Sequence, residues 1–148
     1  MSDIDLADLN EHERRNRDSW NADAPAWVQL GRRSWSSVEP SWGVLGVPEC
    51  EVGILPDVEG LDVIELGCGT AYWSAWLARR GARPVGLDLS ERQLETAATL
   101  QREHDLHFPL VHASAENVPL PDEWPRAGTA ACARCSVTRV RARTRWPR

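Results

Sequence analysis

The chain has 148 residues, enough for one ordinary domain and too few for two. Apolar residues make up 42% of it, which argues against a disordered chain, and a net charge of −5 argues against a general nucleic-acid binder. The charge is unevenly placed: all 22 acidic residues precede Trp124, whereas the last 25 residues carry seven arginines and no acid.

The acidic start, Met1-Ser2-Asp3-Ile4-Asp5, has no apolar run and reads as neither a signal nor a transit peptide. No stretch reaches the roughly 18 apolar residues of a membrane helix. The expectation is a soluble, cytoplasmic protein with neither a membrane nor a nucleic acid as partner. Residues 1–23 are polar and charged and read as a solvated arm or a loosely held helix. Pro25 suits the first turn of a short helix from Ala26 to Leu30, ended by Gly31. Trp35 and Trp42 then fall among serines, followed by Gly43, Gly46, Pro48 and Gly53, which predict a loop. Tryptophans at 20, 27, 35 and 42 are expected to pack this N-terminal arm onto the domain. Their spacing leaves open a lid that stacks on a planar ligand. Residues 1–55 are therefore read as an N-terminal arm and Trp-rich cap.

From Pro56 the signals sharpen. Leu61-Asp62-Val63-Ile64-Glu65-Leu66 is a strand-like run that Gly67-Cys68-Gly69 interrupts. Trp73, Trp76, Leu77 and Arg80 follow at helical spacing, with Gly81 placed to end the helix. Val85 to Asp88 reads as a second strand. Ser90 with Gln93 is a capping-box pattern opening a helix to about His104, with Leu94, Ala97, Ala98 and Gln101 on one face. Phe108 to His112 is a third strand. The order β-α-β-α-β predicts an α/β fold: the front half of a Rossmann-like, doubly wound, mostly parallel sheet with an N-terminal helical arm.

Glycines directly after a first strand let the chain turn sharply and let backbone approach a ligand. Asp88 follows Gly69 by 19 residues and ends the second strand, where a carboxylate can accept from both hydroxyls of a ribose. Either feature alone is often only a turn or a helix flank. Together, on these elements, they predict a nucleoside site. A dinucleotide fingerprint places a third small residue where Tyr72 stands, and a Walker A loop needs a lysine, which this chain lacks.

Three segments in order, spread over about 60 residues, resemble the motifs of the class I S-adenosylmethionine-dependent methyltransferases. Glu65-Leu66-Gly67-Cys68-Gly69-Thr70-Ala71 looks like the first motif, with Ala71 in place of its last glycine. Val85-Gly86-Leu87-Asp88-Leu89-Ser90 looks like the second. Ser114-Ala115-Glu116-Asn117-Val118-Pro119-Leu120-Pro121-Asp122 looks like the third, with Ser114 in place of its usual aspartate. The resemblance implies S-adenosylmethionine as cofactor and a small-molecule methyl acceptor. It implies that Glu65 holds the methionine ammonium and that Gly67, Cys68 and Gly69 close backbone around the methionine part. Asp88 would bind the ribose, Leu89 would pack on the adenine face, and Ala115 and Glu116 would lie at the adenine edge. Ala71 is tolerable there if its backbone is helical. No residue stands out as a catalytic base.

The family continues with a fourth strand beside the first, usually opened by Phe-Asp, and none follows Glu123 here. Ser136 to Val140 is the sole alternating stretch, so a fourth strand there is the less favoured reading. Residues 56–123 are thus read as a partial cofactor domain whose first strand keeps an open edge. Residues 124–148 read as an atypical Arg-rich tail, of the composition that a shifted reading frame gives in a GC-rich gene. Cys132 and Cys135 form a lone CxxC without the further ligands zinc needs, so no metal is expected. His104, His107 and His112 read as surface or packing residues. Two other functions stay open: a nicotinamide-dependent oxidoreductase fragment, which Tyr72 opposes, and a non-enzymatic module whose basic tail grips phosphate or anionic lipid.

Overall fold

A computed structural model describes residues 9–43, 45–119, 130–132 and 135–138, the last two segments as backbone strands. The end of the third motif, residues 120–122, and most of the Arg-rich tail lie outside the described residues.

The first element is a single long helix, α1 (Glu11–Ser36), where two separate weak segments were expected. Its start is a full capping box: the Asn10 side chain accepts from the Glu13 N–H, and the Glu13 carboxylate accepts from the Asn10 N–H. Pro25 lies inside this helix and does not begin it. A proline removes the bond to the carbonyl four residues back, here that of Asn21. The Arg92 guanidinium points at that carbonyl from 3.4 Å, which compensates the loss. Gly31 likewise continues the helix. A methyl group there would come within 3.0–3.1 Å of the Thr70 side chain, so its absence lets α1 lie against the glycine turn. Trp35 therefore belongs to the helix, not to a loop. Beyond it, β1 (Ser41–Trp42) and β2 (Val47–Pro48) form a minimal antiparallel hairpin, followed by the one-turn α2 (Glu49–Val52).

The main sheet starts with β3 (Asp62–Leu66), followed by α3 (Tyr72–Arg79), β4 (Arg83–Asp88), α4 (Glu91–Glu103) and β5 (Leu110–His112). These match the predicted β-α-β-α-β run within two residues at each end. Gly81 ends α3 at φ +81°, a conformation that only glycine adopts freely. The strands β3, β4 and β5 are parallel, with Ile64 opposite Val85 and Leu87 opposite Val111.

The expected open edge of β3 is paired. Strand β6 (Ala130–Cys132) runs parallel beside it, with Ile64 opposite Ala130, and β7 (Cys135–Thr138) returns antiparallel. A central strand with a row of free N–H and C=O groups readily accepts a partner, even one whose sequence lacks the apolar alternation of a strand. The sheet order is β5-β4-β3-β6-β7, so the strand order reverses at β3. Ligand crevices of open α/β sheets form at the carboxyl ends of the strands at such a reversal.

One core cluster joins Trp35 of α1 to Cys68, Ala71 and Ala75 around the glycine turn and to Leu94, Ala97 and Leu100 of α4. The buried stripe of α4 thus includes Leu100, while Ala98 and Gln101 are half-buried. A second cluster, Val58, Val63, Leu77 and Ala82, lies around β3 and α3. Each large side chain buried this way contributes roughly 1.5–3 kcal/mol. Of the tryptophans in the arm, Trp35 is buried and donates its Nε1–H to the Thr70 carbonyl at 2.8 Å, and Trp42 packs on Trp73 at 4.0 Å between ring centroids. These two do pack the arm onto the domain, as the composition suggested.

Candidate cofactor-binding site

The carboxyl ends of β3, β4 and β5 bring most of the motif residues together. Glu65 stands one residue before the end of β3 and is 1% exposed. Its Oε2 accepts from the Ser74 N–H at 2.8 Å and the Ser74 hydroxyl at 2.7 Å, in the first turn of α3. Burial still dominates these bonds and pushes its carboxyl up to about 8. The nearby Asp88 charge acts in the same direction.

The turn after β3 is built on positive φ angles: Gly67 at +66°, Gly69 at +54° and Ala71 at +55°. Ala71 is thus left-handed, not helical as its tolerance had been expected to require. The last glycine of the motif has a backbone reason, and alanine takes its place with strain of about 1 kcal/mol. A methyl group on Gly67 would meet nothing within 4 Å, so the backbone there is open to a ligand. Cys68 contributes only main chain, because its sulfur points into the core against Gly86, where a methyl group would sit 3.1 Å from it. Burial pushes its thiol well up.

Asp88 closes the turn from β4. Its Oδ2 accepts from the Gly69 N–H at 2.7 Å and its Oδ1 from the Ser90 N–H at 2.8 Å. The 19-residue interval noted in the sequence is therefore a direct hydrogen bond. Burial raises the Asp88 carboxyl, outweighing these bonds. Each oxygen keeps a further lone pair for a hydroxyl donor. Leu89 follows, half-buried.

The third-motif residues sit two strands away and are shared with α1. Ser114 is buried and accepts from the Glu116 N–H at 3.2 Å, and a hydrogen bond from Ser114 also holds the Glu13 carboxyl low. Ala115 is exposed, and the exposed Glu116 carboxylate pairs with His12 at 2.8 Å. In the middle of α1, Asn21 Oδ1 accepts from the Ser90 hydroxyl at 2.6 Å. The arm thus runs along the carboxyl edge of the sheet from Ser114 past Ser90 to Thr70.

Sequence reasoning missed Ser74, Asn21 and His12, which support motif residues from other elements and carry no local pattern. It left His112 as a surface or packing residue, and His112 is buried with Nε2 3.1 Å from the Leu89 carbonyl. Among the described residues no cluster of His, Cys, Asp and Glu suits a metal, and no helix is long and apolar enough to cross a membrane.

Two buried carboxylates, both raised by burial and both hydrogen-bonded by neutral donors, flank one glycine turn. Both carboxyls keep acceptor oxygens for a ligand that brings donors, and a cation beside Glu65 would favour its ionised form. Tyr72, whose hydroxyl accepts from the Ser41 N–H at 2.9 Å, is held at the helix start where the pyrophosphate of a dinucleotide would lie.

Comparison with known proteins agrees. Over 68 residues the chain is 37% identical to the demethylmenaquinone methyltransferase of Listeria welshimeri, covering 43% of this chain and 29% of that protein. It is 34% identical over 67 residues to a ubiquinone biosynthesis O-methyltransferase of Maricaulis maris, covering 45% and 26%. It is 40% identical over 63 residues to a malonyl-[acyl-carrier protein] O-methyltransferase of Serratia marcescens, covering 43% and 23%. The chain thus spans less than a third of the length of these relatives. Among solved structures, the [4+2]-cyclase SpnF shares the fold at a TM-score of 0.58 and 18% identity, over 74% of this chain and 45% of that one. A methyltransferase-domain family model matches residues 63–143, past the charge break at Trp124. That match covers more than half of the sequence, and the chain belongs to the methyltransferase-domain family.

Proposed function

We propose that this chain binds S-adenosylmethionine and serves methyl transfer to a small-molecule acceptor. The observation that carries the reading is the pair of buried carboxylates, Glu65 and Asp88, at the ends of adjacent parallel strands around an open glycine turn. Glu65 would hold the methionine ammonium. Gly67, Cys68 and Gly69 would present main chain to the methionine part. Asp88 would accept from the ribose hydroxyls, Leu89 would pack on adenine, and Ala115 and Glu116 would border it. The bound cofactor supplies an already activated methyl carbon. The protein's share is to orient the acceptor and keep water out.

Relatives named for demethylmenaquinone and for ubiquinone biosynthesis support a small-molecule acceptor. Division into an arm over residues 1–55, a cofactor unit over 56–123 and an Arg-rich segment over 124–148 belongs to the same proposal. The free thiols of Cys50 and Cys68 suit a reducing compartment, and we place the chain in the cytoplasm. Isothermal calorimetry with S-adenosylhomocysteine tests the reading. Binding that is lost in Asp88→Ala supports it; binding of NADH in its place overturns it.

A further inference from the structure

The tryptophans of the arm divide into two pairs. Trp35 and Trp42 press against the domain, whereas Trp20 and Trp27 belong to neither core cluster of the described residues. Both are half-buried, and their rings meet at 6.1 Å between centroids and 54° between planes, an inclined pair that is not stacked. The neighbours of α1 fix where this pair stands. Gly31 abuts Thr70 at the glycine turn, and Asn21 meets Ser90 at the start of α4. At about 100° per residue, Trp20 and Trp27 fall roughly 20° and 40° from Gly31 around the helix, on the side away from Asn21. Along the axis they stand about 16 Å and 6 Å from Gly31, toward the carboxyl edge of the sheet. The pair therefore overhangs the mouth between Ser90 and Thr70. Because α4 leads from β4 to β5, the side of α1 away from α4 looks toward β3, whose end carries Glu65. The adenine edge near Ala115 lies at the other end of the sheet, beyond β5.

Resting on the S-adenosylmethionine reading, we propose that Trp20 and Trp27 form a wall of the acceptor site and that the methyl acceptor is a planar aromatic molecule. Two inclined indoles suit a flat partner, since one ring can lie along its face while the other meets its edge. An acceptor against this wall lies on the side of the crevice where the methionine part, and with it the methyl group, would sit. The indoles bind and orient the ring, and they select it over a puckered ring of the same size.

The test is calorimetry on the full chain saturated with S-adenosylhomocysteine. The probes are 2-naphthol and decahydro-2-naphthol, which share a skeleton and differ in flatness. The proposal expects 2-naphthol to bind roughly three- to tenfold more tightly than its saturated counterpart. It expects that preference to vanish in Trp27→Leu, with Trp20→Leu as the second variant should the first fold poorly. S-adenosylhomocysteine should bind the variants as it binds wild type. Equal binding of the two probes to wild type, or binding of neither, overturns the proposal and leaves the cofactor reading intact. A preference that survives in both variants overturns the assignment to these tryptophans. Loss of S-adenosylhomocysteine affinity in the variants makes them cofactor contacts and overturns it as well. Failure of wild type to bind S-adenosylhomocysteine removes the cofactor reading itself, and this inference with it.

Discussion

Replacing Glu65 by glutamine tests whether its carboxyl is held neutral by burial. The carboxamide of Glu65→Gln can accept both Ser74 bonds through its carbonyl oxygen, so the packing is preserved while the titration is removed. The Glu65 carboxyl is raised from 4.5 to about 8 in the folded chain. Between those values the unfolded chain has lost the proton and the folded chain keeps it. Stability therefore falls as pH rises, by at most about 1.4 kcal/mol per unit. By pH 7 the loss is on the order of 3 kcal/mol. The window is clean, because the lowered carboxyls of Glu13, Glu39 and Glu91 act below it and the raised thiols of Cys50 and Cys68 act above it. Asp88, also raised, contributes equally to both proteins and drops out of the difference. Urea unfolding from pH 5 to 8 should give a falling line for wild type and a flatter one for Glu65→Gln, with the variant the more stable at pH 8. Parallel lines, or a variant weaker by the same amount at every pH, would refute the assigned neutral carboxyl.

Other consequences follow from single contacts. Ala71→Gly relieves a left-handed alanine at φ 55° and should add about 1 kcal/mol, read as a melting rise of roughly 3 °C; no change would mean the turn carries no strain. Gly31→Ala places a methyl group 3.0 Å from Thr70 and should lower stability by about 1–3 kcal/mol despite its better helix propensity; a gain would show that α1 does not press on the turn. Trp35→Phe removes the Nε1 bond to the Thr70 carbonyl and should cost about 1–2 kcal/mol by denaturant titration. A chain ending at Glu123 lacks β6 and should self-associate through the exposed β3 edge in light scattering. An unchanged monomer would make residues 124–148 a mere appendage.

The central β-α-β-α-β run was legible because each element carries its own punctuation: β-branched residues in β3, Ser90 before α4, Gly81 after α3. The candidate site was legible for the same reason, since Glu65 and Asp88 lie at strand ends and Gly69 in the turn between them. The long α1 was not. Pro25 read locally as the start of a short helix and Gly31 as its end, and only Arg92 and Thr70, distant in sequence, explain why one helix runs through both. Strand β6 escaped because its place is set by the unpaired edge of β3, not by a pattern of its own. Ala71 misled because a non-glycine residue gives no sign of positive φ. Gln93 was noted as a capping residue, and only half of that box forms, because Asp88 takes the Ser90 N–H.

The central claim is that Glu65 and Asp88 form a site for a cationic nucleoside. Calorimetry of S-adenosylmethionine binding at pH 7, repeated in buffers of different ionisation enthalpy, tests it most directly. The predicted result is binding accompanied by release of close to one proton, because an ammonium beside Glu65 favours its ionised form. Affinity should then rise toward pH 8 and fall away in Glu65→Gln. Binding with no proton release and no dependence on Glu65, or no binding at all, would contradict the account.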